Sequence, residues 1–517
     1  MTDQPNILLI MTDQQRYDSL GCYGAEFAHT PRLDAMAKQG VRFEHCYVNN
    51  PICTPSRASL MTGQNILDHG VHQLYGKLAD NFTLFPKHLQ SLGYHTSLVG
   101  KLHVSDYKIE AETRHPNDGF DDYYWCHDPT IALDSKFNGY ANWLSKKNPT
   151  YLEELKLKRW GAPAPADLHM TTWAAQQTVE LIRNRKDDQP FFIKMSVFDP
   201  HNPYHDCPPQ YAAKVDMTKM PQRIGMDTDM SKQPQGIQQE HVGSYMGAYS
   251  KFTDEAITDM RRGYHGSVSL IDEKVGQVLD ELEQQGIADN TLVIFVSDHG
   301  DMLGDHQLLA KGAFFYDACT RVPLLMRWPK QLKADQLRKD LAQVNDLAAT
   351  ILAAAGMSHD AIATAMPDAH DLLHNQTHTV RDTAVCHYLN TGISSTSTLT
   401  PNYFDPPIYA SMIRDDQFKL NVYWSGADGR ECQLFDMHND PHECNDLIDD
   451  AIRHGLRLMV TLATTTYSYL NYGSNPSQYS NYDTNNATII GQTGDARAEL
   501  PVLEYIHYKI QHTNEFD

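Results

Sequence analysis

Apolar runs and amphipathic stretches alternate along the first 375 residues or so, and the alternation predicts the architecture. Asn6 to Thr12, Tyr94 to Val99, Pro190 to Phe198, Thr291 to Val296 and Val322 to Arg327 are short and largely apolar, as strands covered on both faces of a parallel sheet must be. Val41 to Val48 reads as another strand. Between the strands lie helical stretches with stop signals. Thr30 as N-cap and Pro31 open a helix that Gly40 closes, Leu84 to Leu92 stops at Gly93, Tyr264 to Gln285 at Gly286, and Val344 to Ala355 at Gly356. Thr171 to Asn184 is amphipathic. The expected fold class is α/β, a mainly parallel central sheet with helices on both faces.

The texture changes twice. Residues 205 to 260 are polar, Met-rich and Gln-rich with no sustained period, which predicts a long excursion serving as a lid or a pocket wall. Ala384 to Tyr388, Ala410 to Arg414, Phe418 to Trp424 and Gln433 to Phe435 then read as short strands of a smaller C-terminal antiparallel sheet, with a helix near 446 to 464 against it. Thr466 to about Asn486 is heavy in Tyr, Asn and Ser, and Glu504 to Gln511 closes the chain. The expected division is an α/β domain over 1–375 and an α+β subdomain with the Tyr/Asn-rich tail over 376–517, a partition that fits the length.

Composition narrows the partners. The chain carries 43 Lys and Arg against 65 Asp and Glu, a net charge of −22, which opposes binding to nucleic acid, to anionic membrane and to a long polyanion. The nine cysteines are odd in number, scattered and free of any C-x-x-C pair, so neither a disulfide framework nor a structural zinc site is expected. The apolar run Ile7 to Met11 is far too short for a signal-peptide core or a membrane span. As it stands the chain reads as cytoplasmic; a periplasmic or secreted protein that had lost its leader would read the same way.

The candidate chemistry sits where predicted strands end. Cys53, Pro55, Ser56 and Arg57 form a C-x-P-S-R run just ahead of a helix from Ala58, where unsatisfied N–H groups and the positive end of the dipole suit an anion. The plainer reading of Cys53 is a structural cysteine beside a turn proline. Asp13 and Gln14 follow the first strand, a place where α/β folds bind ligands, although an aspartate there also serves as a helix N-cap. Lys101 and His103 follow the strand ending at Val99, His201 stands between Pro200 and Pro203, and Ser297-Asp298-His299-Gly300 follows another strand, with Asp301, Asp305, His306 and Lys311 beyond it.

In this order, Asp-Gln, C-x-P-S-R, G-K-x-H, P-H-x-P, S-D-H-G and L-G-D-H with a following Lys, the motifs resemble the type I sulfatase family over residues 6 to about 330. Asp436 to Leu447 is similar to the family's C-terminal subdomain. The resemblance implies an alkaline-phosphatase-like fold and hydrolysis of sulfate esters by a formylglycine made from Cys53 before folding. One hydroxyl of the hydrated aldehyde would attack sulfur, and the other would lose its proton to expel sulfate. Asp13, Gln14, Asp298 and His299 would hold one divalent cation. That oxygen-rich set suits Ca²⁺, and with Gln14 and His299 where many relatives have Asp and Asn, Mn²⁺ competes. Arg57 would anchor the formylglycine, Lys101 and His103 would bracket its hydroxyls with His103 as base, and His201 and Lys311 would bind sulfate and protonate the leaving alcohol. His72 is the expected substrate contact, whereas His69, His306 and Arg321 are expected to be structural.

The implied partners are a small sulfate ester, preferably on a saccharide chain end or a small oligosaccharide, and a formylglycine-generating enzyme during maturation. Neither nucleic acid nor membrane is expected; the tail from Thr466 offers a contact for a homo-oligomer. Two relatives compete for the same motifs, a phosphonate monoester or phosphodiester hydrolase and a choline-sulfatase. Were Cys53 left unmodified, the pocket would be that of an anion-binding pseudoenzyme.

Overall fold

The computed structural model of the protein describes residues 4–157, 163–186, 188–244, 246–373, 381–389, 408–424 and 430–448. The helix expected over 446 to 464, apart from its first three residues, and the tail from Thr466 lie outside the described residues. Eight strands form the main sheet: β1 (Asn6–Thr12), β2 (Val41–Tyr47), β3 (His95–Gly100), β4 (Asp122–Trp125), β5 (Phe191–Ser196), β6 (Thr291–Ser297), β7 (Arg321–Arg327) and β8 (Gln336–Gln343). Their spatial order is β4-β3-β5-β1-β6-β7-β2-β8. All neighbours pair in parallel except β7, which runs antiparallel to both β6 and β2. Two reversals cancel, so β2 still points the same way as β6.

β1 shows why the sheet must be covered twice. Ile7, Leu9 and Met11 belong to one core with Leu60, Phe85 and Leu347, while Leu8 and Ile10 belong to the other with Leu33, Trp173 and Val275. The first core holds the helices α2 (Cys53–Thr62), α3 (Phe85–Ser91) and α6 (Asp346–Ala354); the second holds α1 (Pro31–Lys38), α4 (Met170–Arg183) and α5 (Asp254–Gln284). The expected α/β class with helices on both faces is what the structure shows.

Three local expectations need correction. The apolar pattern does not predict the strands β4 and β8, and they are the two sheet edges, where pairing on one side relaxes the demand for apolar residues; the first half of β8 is mostly exposed. The helix expected from Tyr264 starts at Asp254, because its first turns face solvent and only the Thr253 hydroxyl, accepting from Ala256 N at 3.2 Å, marks the start. The excursion after residue 205 is correspondingly shorter. Thr30 does not cap α1 with its side chain; its hydroxyl accepts from Gly21 N at 2.9 Å instead.

A second, antiparallel sheet has the order β12-β11-β10-β9, with β9 Ala384–Leu389, β10 Tyr409–Arg414, β11 Phe418–Trp424 and β12 Arg430–Asp436. It is tied to the main sheet by His387 N to Asn49 O at 3.0 Å and Asn50 Nδ2 to His387 O at 2.7 Å. It is also tied by charge. Lys419, without exposed surface, donates to Asp317 Oδ1 at 2.6 Å, Glu443 Oε1 at 2.8 Å and Phe315 O at 2.9 Å. Glu443 belongs to the turn-rich link after β12, and its other oxygen accepts from Asp317 N at 2.6 Å. Lys419→Met would leave two buried carboxylates facing each other, so chemical unfolding is expected to show a loss of about 3–5 kcal/mol; a change within error would show that Lys419 does not join the two sheets.

Candidate active site

The carboxyl ends of β1, β2, β3, β5 and β6 all reach one edge of the main sheet, and β7 begins there. Asp13 and Gln14 follow β1 directly, Lys101 follows β3, His201 lies just beyond β5, and Asp298 follows β6. Cys53 is the first residue of α2, all ten of whose residues are buried, and Arg57 stands one turn further on. Lys311 lies in the loop from β6 to β7. This edge is where a ligand site belongs in a parallel sheet.

Asp13 and Asp298 are without exposed surface, and Arg57 spans them. Its Nε donates to Asp298 Oδ2 at 2.6 Å and its Nη2 to Asp13 Oδ2 at 3.1 Å, while Nη1 reaches Lys101 O at 3.1 Å and Ser196 Oγ at 2.9 Å. Lys101 Nζ donates to Asp13 Oδ2 at 2.5 Å. One oxygen of each carboxylate is thereby held by basic groups. The Oδ1 atoms of both lie 3.7 Å from His299 Nε2. Arg57 thus orients both carboxylates beside position 53.

Cys53 Sγ sits among the basic groups. Lys311 Nζ donates to it at 2.9 Å, His299 Nε2 is 3.2 Å away and Asp13 Oδ1 3.8 Å. Lys311 Nζ also reaches His201 Nε2 at 2.9 Å and His299 Nε2 at 3.2 Å. His201 Nδ1 lies 2.7 Å from Asn202 O, an atom that can only accept, so its proton is on Nδ1 and Nε2 carries the lone pair. The His103 tautomer is fixed by its neighbours too. The Thr54 hydroxyl donates to Leu74 O at 2.5 Å, so it accepts from His103 Nε2 at 2.9 Å, leaving Nδ1, buried and without a partner among the described residues, as the basic nitrogen.

The electrostatics follow burial and charge. Burial would push Asp13 up, but Lys101, Arg57 and Lys311 together hold its carboxyl well below the usual range. Burial and Asp13 push the Cys53 thiol up, and Lys311, Lys101 and His299 outweigh them, so the net shift is down. Burial holds His201 and His103 well below their ordinary value, with Lys311 acting on the first and Lys101 on the second. Both imidazoles are therefore neutral.

The donor set fits a cation. Ligand atoms of Asp13, Cys53, Asp298 and His299 all lie within 4.8 Å of one another, and Gln14 Oε1 is buried without a hydrogen-bond partner among the described residues. Two carboxylate oxygens, an amide oxygen and an imidazole nitrogen suit a hard or borderline divalent ion. His72, the expected substrate contact, lies in the loop after the cysteine-bearing helix α2. It acts electrostatically on His69 and His387, and burial lowers it to about 4.

Several supporting residues escaped the sequence reading. Glu110 accepts the N–H groups of His103 at 3.0 Å, Val104 at 2.8 Å and Ser105 at 3.1 Å, holding a loop in which His103 has φ +59°; a lone acid in a short helix gives no signal. His127 packs edge-on against His103 with ring centroids 4.4 Å apart. Lys194, donating to Lys101 O at 3.0 Å from inside β5, could have been found as a charge within an apolar run. Glu240 fixes the Lys311 loop by accepting from Ala313 N at 2.8 Å. Burial raises its carboxyl to about 8. Between the usual carboxyl value and about 8, the folded chain keeps a proton that the unfolded chain has released, so this group makes stability fall as pH rises through that window. Thermal unfolding from about pH 5 to about pH 8 should therefore show a smaller fall in midpoint for Glu240→Gln than for the wild type; an equal fall would contradict the assignment.

Comparison with known proteins agrees with this geometry. The sulfatase family model matches residues 5–357, and a model of the N-sulphoglucosamine sulphohydrolase C-terminal region matches residues 304–468. An arylsulfatase of Clostridium perfringens is 29% identical over 468 residues, 86% of this chain and 90% of that protein. An N-acetylglucosamine-6-O-sulfatase of Bacteroides thetaiotaomicron is 26% identical over 489 residues, 87% of this chain and 84% of that protein. The crystal structure of a phosphonate monoester hydrolase of Agrobacterium radiobacter superposes with a TM-score of 0.72 at 22% identity, covering 91% of this chain and 96% of that one, and so shares the fold. With the family model spanning well over half of its length, the chain belongs to the sulfatase family and is a sulfuric ester hydrolase.

Proposed function

We propose that this sulfatase releases sulfate from a sulfated saccharide, at a chain end or on a small oligosaccharide, through a formylglycine made from Cys53 and one divalent cation held by Asp13, Gln14, Asp298 and His299. The observation that carries the reading is the position of Cys53 Sγ, at the start of α2, inside the ligand cluster and 2.9 Å from Lys311 Nζ. The thiol stands where a hydroxyl of the hydrated aldehyde would be. That hydrate would supply one hydroxyl toward sulfur and a second whose deprotonation would free sulfate, and a cation held by the four ligands would supply Lewis acidity. Ca²⁺ suits the oxygens, and the His299 imidazole makes Mn²⁺ the competitor.

The chain's own groups manage the protons and the charge. Lys311 and His201 share a proton across 2.9 Å, and this pair is placed to deliver it to the leaving alcohol oxygen. Neutral His103, with its lone pair on Nδ1, is the base for the resetting step, held by Thr54 and the Glu110 loop. Lys101, Arg57 and Lys311 stabilise the anionic ester and its transition state. The net charge of −22 around a locally basic pocket favours a small or terminal ester over a long polyanion. The Bacteroides relative named for a sulfated amino sugar supports a saccharide. Cys53 is only 1% exposed, so the maturing enzyme must meet it before the chain folds.

The second reading, a phosphonate monoester or phosphodiester hydrolase, rests on Gln14 and His299, which resemble choices often found in that group. Sulfate and phosphodiester esters of one sugar alcohol, assayed side by side, decide between them. The sulfate ester is expected to have the larger kcat/KM, and Lys311→Met to lower kcat on it by about 10²–10⁴-fold; a clear preference for the diester would overturn the proposal.

A further inference from the structure

Gln14 is buried without exposed surface, and its amide is asymmetric in what it touches. Its Nε2 donates to Asp301 Oδ2 at 2.6 Å, with Tyr204 Oη at 3.4 Å and Asn202 Oδ1 at 3.5 Å beside it. Tyr204 Oη also donates to Asp301 Oδ2, at 2.7 Å. Among the described residues, no donor reaches Gln14 Oε1. A carboxylate can only accept, so the side of Gln14 that faces Asp301 must be the NH₂ group. The reverse orientation would press two oxygens together.

Asp301 is itself fixed. Its Oδ1 accepts from Leu303 N at 2.9 Å, its N–H donates to Ala318 O at 2.9 Å, and its carbonyl accepts from Arg16 Nη1 at 3.1 Å. The Gln14 backbone is held as well, at φ +67°, with its N–H on Asp298 Oδ1 at 3.0 Å and its carbonyl accepting from Tyr264 Oη at 2.7 Å. Neither partner can move to accommodate a flipped amide.

We infer that Asp301, assisted by Tyr204, is a positioning residue that locks the Gln14 amide with its oxygen available to the cation, and that this pairing is why the chain carries an amide and not a carboxylate at position 14. The inference rests on the proposed cation site. A carboxylate at 14 would meet Asp301 with no proton between them, and the two charges would repel within the cluster. The pairing therefore reverses the simple electrostatic expectation. Added negative charge at a cation site normally tightens binding; here it weakens binding as long as residue 301 is Asp.

The test is calorimetric titration of Ca²⁺ and, separately, Mn²⁺ into chelator-stripped full-length protein, with thermal unfolding of each stripped variant to show that it folds. Gln14→Glu is expected to weaken binding about 10–100-fold, the usual size of a lost supporting contact. Asp301→Asn is expected to weaken it similarly, because an amide NH₂ at that position allows the Gln14 amide to turn. The double variant Q14E/D301N, in which the introduced amide can donate to the introduced carboxylate, is expected to recover affinity to within about tenfold of the wild type. Single-variant losses that add in the double variant, or Q14E binding as tightly as the wild type, would overturn the pairing. If the wild type takes up neither ion, the cation site fails and the pairing fails with it.

Discussion

Two carboxylates without exposed surface, Asp13 and Asp298, are the constraint on which the rest of the site depends. Unpaired, each charge would be too costly to bury. Arg57 makes them tolerable by reaching both, and Lys101 adds a second cation to Asp13. Each carboxylate keeps one oxygen facing His299. The result is a preformed set of donors whose geometry is fixed before any substrate arrives, which is what electrostatic catalysis requires.

Topology supplies the convergence. Because β2 reverses twice relative to β6 through the antiparallel β7, the segment leading into Cys53 emerges at the same edge as the ends of β1, β3, β5 and β6. Residues more than two hundred positions apart, such as Cys53 and Lys311, are thereby brought to 2.9 Å. The second sheet contributes from outside, since Lys419 holds Phe315 O in the loop that carries Lys311.

The buried strands were legible because parallel strands covered on both faces must be apolar, and the ligand-bearing residues were legible because each follows such a strand. The edge strands β4 and β8 were not, since pairing on one side leaves their residues free to be polar. Within the site, the motifs pointed to Asp13, Cys53, Lys101, Asp298 and Lys311, and the structure brings these together. What spacing could not show was how the donors are shared. Arg57 had no assigned partner carboxylates, and Thr54, Glu110 and Asp301 act through backbone amides or through one atom of a neighbouring side chain.

Everything chemical in this arrangement converges on the side chain at position 53, which the surrounding lysines, carboxylates and imidazoles are built to serve. The most direct measurement is the mass of the tryptic peptide Phe43–Arg57 from active protein. Conversion of the thiol to an aldehyde lowers that mass by about 18 Da relative to the encoded peptide, and this is the predicted result. An unshifted mass, with a free thiol at position 53 in protein that still hydrolyses sulfate esters, would contradict it.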